Sequence, residues 1–502
     1  MHDQLDMRDA IDRMLNRRPA VGLAVGVVRD GALEFFHGHG VADIASKTPI
    51  TEDTVFRIAS ITKTFTAIAV MQLWEQGQVD LDAPAGQYLR AYRLIPAKPG
   101  HRPATVRQLL THTAGIPQMV HPAQALRSGW FGESVELGRP LPTLAEHYRG
   151  RLRLAAEPGT VFTYTDHGFA TLGQIVEDVS GQPLHRYLRE HVFTPLGMDD
   201  TDLVRSARIA SRLATGYRLR AGGPEPITDR QWITTAASSA YSTSRDMARY
   251  LAALAGGGAN RHGSVLKPAT TAYMYEPHYR TDPRLPGIGL AFFRTGGGGR
   301  LAVEHQGILP GFNSQIFVAP DHGVAVMAFT NGSPQALTWL PAETGRLLNR
   351  LTGVPDDTVR NGIPHHPELW GELCGRYRPR AQRTDMQVWS MFGAGAEVVV
   401  RKGRLWLRVL SPLPSLYKGF PLHPDDARDP YAFTIDLSEF GIGTARLVFQ
   451  HGSPDTSLHL DLLPLSLDRR PAAANPRIWA AAALTAATAA VAVRARHRRH
   501  VA

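Results

Sequence analysis

The sequence predicts an α+β fold: an antiparallel sheet flanked by helices, with a helical subdomain on one side and a small all-β domain appended. Three observations carry this. An apolar, β-prone hairpin opens the chain, strands return only after a long helical stretch, and short strands recur beyond a Pro-, Gly- and His-rich break near residue 353. The order strands, helices, strands implies a sheet whose first strands pair with its last, with the helices gathered to one side.

Leu5, Ile11, Met14 and Leu15 have helical spacing, which predicts a helix over 3–16. The apolar run Val21–Val28 is followed by Asp30-Gly31 and a second run from Ala32 to Phe36, a strong hairpin signal. Residues 61–76 are apolar on nearly every side and end at Gly77, a suitable C-cap, so this helix belongs in the middle of a domain. Helical patterns dominate from 80 to 260, clearest at 168–180, 183–192 and 245–255. Strands are expected again at Gly289–Phe293, Leu301–Glu304, Ser314–Val318 and Val324–Phe329, then a closing helix over 337–351.

These elements define a first domain over 1–352 and a linker over 353–368. A β-rich domain over 369–468 has strands at 397–401, 405–409, 432–435 and 446–449, as in a small sandwich or barrel. Residues 469–502 form an Arg-rich tail with a short apolar segment at 478–493. As a helix, those sixteen residues would span ~24 Å against a hydrocarbon core of ~30 Å. Two readings stay open, a membrane-seated segment and a solvated Ala-rich tail.

Hydrophobic residues make up 43% and charged residues 20% of the 502, ordinary values for a globular protein. The net charge is +10, but seven arginines beyond Asp468 supply most of it. Nucleic-acid binding would need basic residues spread over a folded face, so that partner is not expected. The single cysteine, Cys374, permits no internal disulfide and reads as a small apolar residue entering a strand. The polar N-terminus, Met1–Asp9, lacks the apolar stretch of a signal peptide, so a cytoplasmic protein is expected unless 478–493 seats it on a membrane.

Ser-x-x-Lys occurs three times, at Ser60–Lys63, Ser264–Lys267 and Ser415–Lys418. On a helix the two side chains share a face, and a partly desolvated lysine can act as a base toward the hydroxyl. Pro268 follows Lys267 and disfavours a helix there. Ser415, between Pro414 and Gly419, reads as a turn. Only Ser60 opens a long buried helix, whose positive end would stabilise a developing anion. Such a serine needs a proton shuttle and oxyanion donors. Tyr164, on a loop before a helix, and His305-Gln-Gly307, ending an apolar strand, are the candidates.

Four segments together resemble one family. They are Phe56-Arg-Ile-Ala-Ser60-Ile-Thr-Lys63-Thr-Phe-Thr-Ala, Leu109-Leu-Thr-His-Thr-Ala-Gly115-Ile-Pro, Pro158-Gly-Thr-Val-Phe-Thr-Tyr164-Thr-Asp166 and His305-Gln-Gly307-Ile-Leu-Pro-Gly-Phe. In order and spacing they are similar to the class C β-lactamase-related serine hydrolases: penicillin-binding proteins, D-alanyl-D-alanine carboxypeptidases, D-aminopeptidases and β-lactamase-fold esterases. The resemblance runs from about residue 8 to 350. It implies a β-lactamase/transpeptidase-like fold and an acyl-enzyme formed on Ser60, with Lys63 and Tyr164 sharing base and acid work. His305 and Gly307 would stand on the substrate-binding strand, and the backbone N–H groups of Ser60 and Ile308 would form the oxyanion hole. No cofactor is implied, and the substrate would be a small molecule or peptide.

One departure bears on substrate choice. The family's middle motif is usually Tyr-x-Asn, whereas this chain has Asp166. A carboxylate cannot donate a hydrogen bond and repels anionic ligands. That argues against β-lactams and D-Ala-D-Ala peptides, which carry a carboxylate, and toward neutral esters, amides or cationic substrates. Alternatively, Asp166 pairs with Lys63 and holds it protonated, which would weaken catalysis. His112 reads as a loop-fixing residue, and the stretch from Gln118 to Tyr148, with Trp130 and Phe131, is expected to shape the acyl pocket. The pairs His37/His39, His365/His366 and His497/His500 lack the companions of a metal site, so no metal is expected. There is no Gly-x-Ser-x-Gly elbow and no nucleotide-binding glycine motif.

Overall fold

The computed structural model describes residues 2–121, 133–296, 300–411, 414–452 and 456–471. It divides into two compact units. The first comprises Met1–Thr358 with Ala381–Met386 and Leu437–Gly443, and the second the remaining residues.

The first unit is built on a seven-stranded antiparallel sheet. Its strands run Phe293–Thr295, Ala302–Leu309, Phe312–Ala319, Val324–Thr330, Gly22–Arg29, Ala32–Asp43 and Thr48–Pro49 in spatial order. The opening strand thus pairs with the last long one, from Leu23 opposite Thr330 to Arg29 opposite Val324. The hairpin turn uses Asp30 and Gly31, both left-handed at φ 50° and 76°, the backbone that a two-residue turn between twisted strands requires.

Alternation along each strand separates two cores. Leu23, Val25 and Val27 face the helices His2–Arg17 and Ala336–Thr352, meeting Met7, Ile11, Trp339 and Leu340. Ala24 and Val28 face the opposite way, into a larger core containing Phe65, Ile68 and Met71. Those last three lie on the helix Thr62–Glu75, in which every residue from Thr62 to Leu73 is buried. The helix crosses the middle of the unit, as its all-round apolar sequence predicts.

Two local expectations fail in informative ways. The run Gly289–Phe293 is not a strand: Ala291 adopts φ 69°, and strand geometry begins only at Phe293. Its backbone serves two neighbours instead, with Leu290 N–H donating to Met274 O at 2.8 Å and Ala291 N–H to Leu110 O at 3.1 Å. His305 lies within the strand Ala302–Leu309 rather than at its end.

The second unit carries a nine-stranded antiparallel sheet ordered Phe420–Pro421, Arg404–Val409, Ala396–Arg401, Gly375–Pro379, Leu465–Arg470, Ser457–Leu460, Thr444–Gln450, Asp429–Asp436 and His423–Asp426. Its two outermost strands are consecutive in the chain, so residues 420–426 pair with both ends of the sheet and close it. Ser415 and Lys418 lie in a short helix, Pro414–Lys418, not in the turn expected from the flanking prolines. Proline suits the first helical position, and Gly419 at φ 84° ends the helix.

Among the described residues, no helix is long and apolar enough to cross a membrane. The apolar segment 478–493 lies outside the described residues.

Candidate active site

The site is built around the start of the central helix. Strand Val55–Arg57 pairs with Tyr241–Thr243. Arg57 anchors it, ion-paired with Asp229 at 2.6 Å and lying 4.0 Å from the Tyr241 ring centroid. The chain then turns sharply through Ala59, left-handed at φ 51°, into a 3₁₀ turn at Ala59–Ile61 that runs into the helix. A non-glycine residue in this conformation is uncommon. It places Ser60, only partly buried, at the mouth of the helix.

One turn on, Lys63 is fully buried. Its Nζ donates to Ser60 Oγ at 3.0 Å, to Asp166 Oδ1 at 2.6 Å and to the Ala237 carbonyl at 3.2 Å. Three acceptors around one nitrogen match the three N–H donors of an ammonium group. Burial pulls the Lys63 pKa down, but the Asp166 carboxylate and then Tyr164 outweigh it, and the net shift is upward. Asp166 is the first residue of the helix Asp166–Ser180, where the helix dipole favours negative charge.

Tyr164 lies over this group, its ring centroid 4.8 Å from Lys63 Nζ, with Ser60 and Lys63 close enough to act on the acidity of its hydroxyl. Burial raises its pKa; the Lys63 charge opposes this and Asp166 reinforces it, so the phenol is neutral at rest.

His112 holds the segment that carries Tyr164. Its Nδ1 accepts from Thr165 N–H at 3.3 Å, its carbonyl accepts from Thr163 N–H at 2.9 Å, and its ring centroid is 4.4 Å from that of Tyr164. Burial, with the Lys63 charge second, keeps the imidazole neutral, as that acceptor role requires. Gly115 makes the same loop possible: at φ 75°, a Cβ there would stand 2.3 Å from Ala156 O.

The strand Ala302–Leu309 forms the opposite wall. Gly307 pairs with Ser314, whose hydroxyl donates to Ile58 O at 2.8 Å. A Cβ on Gly307 would stand 2.2 Å from Ile58 O and 3.1 Å from Ala59 Cβ. Only glycine lets this strand approach the Ala59–Ile61 turn, bringing Ile308, the next residue, to the same edge. His305 is buried, and its Nδ1 lies 2.8 Å from Gln306 O, which puts the proton on Nδ1 and leaves Nε2 an acceptor. That Nε2 has no hydrogen-bond partner. Burial, then the Lys63 charge, take the His305 pKa down to about 3.

Ser60, Lys63 and Asp166 therefore meet in one hydrogen-bonded group with the Tyr164 ring over it, and His305 and Gly307 lie on the adjoining strand. Three features lay beyond sequence reasoning. The Ala237 carbonyl sits in a run of small residues with no motif. Phe293 packs against both Tyr164 and His305, at ring-centroid distances of 6.2 and 5.9 Å, at the edge of the misread strand. A buried cluster of Glu133, His147 and His167 gathers residues too far apart in sequence to form a pattern. Trp130 and Phe131, expected at the acyl pocket, lie outside the described residues.

Known proteins place the chain. Esterase EstB from Burkholderia gladioli is 33% identical over 233 residues, covering 45% of this chain and 57% of the esterase, less than two thirds of its length. Penicillin-binding protein 4 from Amycolatopsis lactamdurans is 27% identical over 370 residues, covering 70% of this chain and 91% of that protein. Among solved structures, the octameric penicillin-binding protein homologue from Pyrococcus abyssi superposes with a TM-score of 0.58, covering 92% of this chain and 99% of that one; at 23% identity it shows a shared fold. The Beta-lactamase family model matches residues 7–344, well over half of the sequence, and the chain belongs to that family.

Proposed function

We propose that this protein is a serine hydrolase that cleaves an ester or amide carbonyl through an acyl-enzyme on Ser60. The observation that carries the reading is the buried Lys63 Nζ, 3.0 Å from Ser60 Oγ and 4.8 Å from the Tyr164 ring centroid. In acylation, Ser60 Oγ bonds to the carbonyl carbon while its proton passes to Lys63 in its amine form. Tyr164 gives its proton to the departing alcohol or amine and regains one from Lys63. The backbone N–H groups of Ser60 and Ile308 hold the oxyanion. Water then attacks the acyl carbon, releases the acid and restores Ser60. The catalytic groups fall within residues 1–352, which we take as the hydrolase domain, with 353–368 a linker and 369–468 an appended β-domain.

Asp166 shapes the substrate class. Its side chain is 33% exposed and offers a carboxylate acceptor where a carboxylate-bearing substrate would need a donor. Neutral esters and amides, or substrates with an ammonium group, fit better than β-lactams. The match to an esterase supports the same preference. A panel of a short-chain nitrophenyl ester, a D-amino-acid amide and nitrocefin tests this. Turnover of the first or second above nitrocefin is expected, all of it lost in Ser60→Ala; nitrocefin as the best substrate would reverse the preference.

One observation favours a second reading. Because all three N–H groups of Lys63 have acceptors at rest, a protein that acylates slowly and then holds the acyl group would have the same geometry. Such a binding or sensing role predicts stable labelling without turnover, and sustained ester hydrolysis dismisses it.

A further inference from the structure

We propose that Glu133, His147 and His167 form a binding site for a divalent transition metal, with zinc the ion that best suits their donors. The inference goes beyond the hydrolase reading and does not rest on it. One carboxylate oxygen and one ring nitrogen from each histidine lie within 4.8 Å of one another. Two imidazoles and a carboxylate are a recognised zinc donor set, with ligand bonds of roughly 2.0–2.2 Å and a fourth position left for water.

Three further observations point to a ligand. His167 is fully buried and the Glu133 side chain is 10% exposed, so the carboxylate has little water to solvate it. His167 Nε2 lies 2.6 Å from Glu133 Oε1, yet this close contact lacks hydrogen-bond alignment. A shared cation would satisfy both atoms, and binding it requires them to separate by about 1 Å to tetrahedral spacing. His147 Nε2 is also buried and without a hydrogen-bond partner.

The surroundings supply the outer shell that metal sites use. Tyr148 Oη lies 2.8 Å from His167 Nδ1. As acceptor from Nδ1–H, it fixes the tautomer that leaves Nε2 free to bind metal. The rings of His147 and His167 are stacked with centroids 6.0 Å apart. His167 follows Asp166 in the first turn of the helix Asp166–Ser180. A metal here would therefore tie residues 133–147 to the turn that presents Asp166 to Lys63, and its role is to position that turn.

The test uses the full-length protein without an affinity tag, stripped with a chelator and titrated with Co²⁺ and then Zn²⁺. One equivalent of Co²⁺ should give visible d–d bands of low coordination number, and Zn²⁺ should displace them. His147→Gln and Glu133→Gln should each weaken Zn²⁺ binding by at least the roughly 10–100-fold lost when outer-shell partners are removed. Circular dichroism and a cooperative thermal transition establish that each variant is folded; two variants are used so that misfolding of one leaves the other informative. Absence of Co²⁺ bands in the wild type, or equal Zn²⁺ affinity in the wild type and a folded variant, overturns the proposal.

Discussion

Lys63 Nζ and Asp166 Oδ1 lie 2.6 Å apart, closer than Lys63 stands to the serine it faces. The pair fixes the proton inventory of the site. Lys63 rests as an ammonium, and in the proposed mechanism it must give up a proton before it can accept one from Ser60. Asp166 sets how hard that is.

Replacing Asp166 by Asn should make the amine easier to form. The pKa of Lys63 is raised by Asp166, after burial has pulled the other way. The acid limb of the kcat/KM profile for a neutral ester should then shift to lower pH in Asp166→Asn. An unmoved limb would mean that Lys63 ionisation does not limit acylation.

The same substitution should relax the bias against anions. Two like charges ~4 Å apart at a protein surface repel by up to ~4 kcal/mol, so a gain of about tenfold is a conservative expectation. The ratio of nitrocefin to neutral-ester kcat/KM should rise by that factor in Asp166→Asn. An unchanged ratio would place the substrate carboxylate away from Asp166.

Tyr164→Phe keeps the ring against His112 and removes only the hydroxyl. If that hydroxyl relays the proton to the leaving group, kcat/KM should fall by about 10²–10⁴, the usual worth of a positioned acid or base. The thermal midpoint should change little. A loss below threefold would assign the proton transfer elsewhere.

Gly307→Ala should damage fold and activity together. The new methyl would meet Ile58 O at 2.2 Å, and backbone cannot move aside as a flexible side chain can. Overpacking of this kind costs about 1–3 kcal/mol. Denaturant unfolding should show that loss, with the proposed acylation slowed because the strand and the Ala59–Ile61 turn are pushed apart.

Glu304, next to His305 on the strand Ala302–Leu309, provides a pH signature of stability. Burial pushes its pKa from 4.5 up to about 7, although Gln315 Nε2 donates to it at 2.6 Å and opposes the shift. A carboxyl whose folded pKa lies above its unfolded one stabilises the fold below the unfolded value, and that contribution fades as pH rises through the folded one. Glu304→Gln should therefore gain stability relative to the wild type between about pH 5 and about pH 8, read as a widening difference in Tm. A constant difference would show that Glu304 is ionised throughout.

Much of the architecture was legible because the signals were local. The pairing of first and last strands followed from element order, and the hairpin followed from Asp30-Gly31. The central helix followed from its all-round apolar sequence. Of three Ser-x-x-Lys motifs, the flanking residues selected Ser60–Lys63, although Ser415 proved helical. The exposed Ser415 stands on a short surface helix rather than at the mouth of a buried one. What could not be read was long-range or conformational. The Lys63–Asp166 pair spans 103 positions and appeared only as one of two alternatives. The break at Ala291 depends on one left-handed residue in an otherwise strand-like run. The Glu133, His147 and His167 cluster forms only when two distant segments fold together.

Labelling with a fluorophosphonate probe, read by peptide mass spectrometry on the folded full-length protein, tests the central claim most directly. A single adduct on the Ser60 peptide is predicted, absent in Ser60→Ala and formed more slowly in Lys63→Met. A folded wild type that takes up no probe, or takes it up at another serine, would contradict the account.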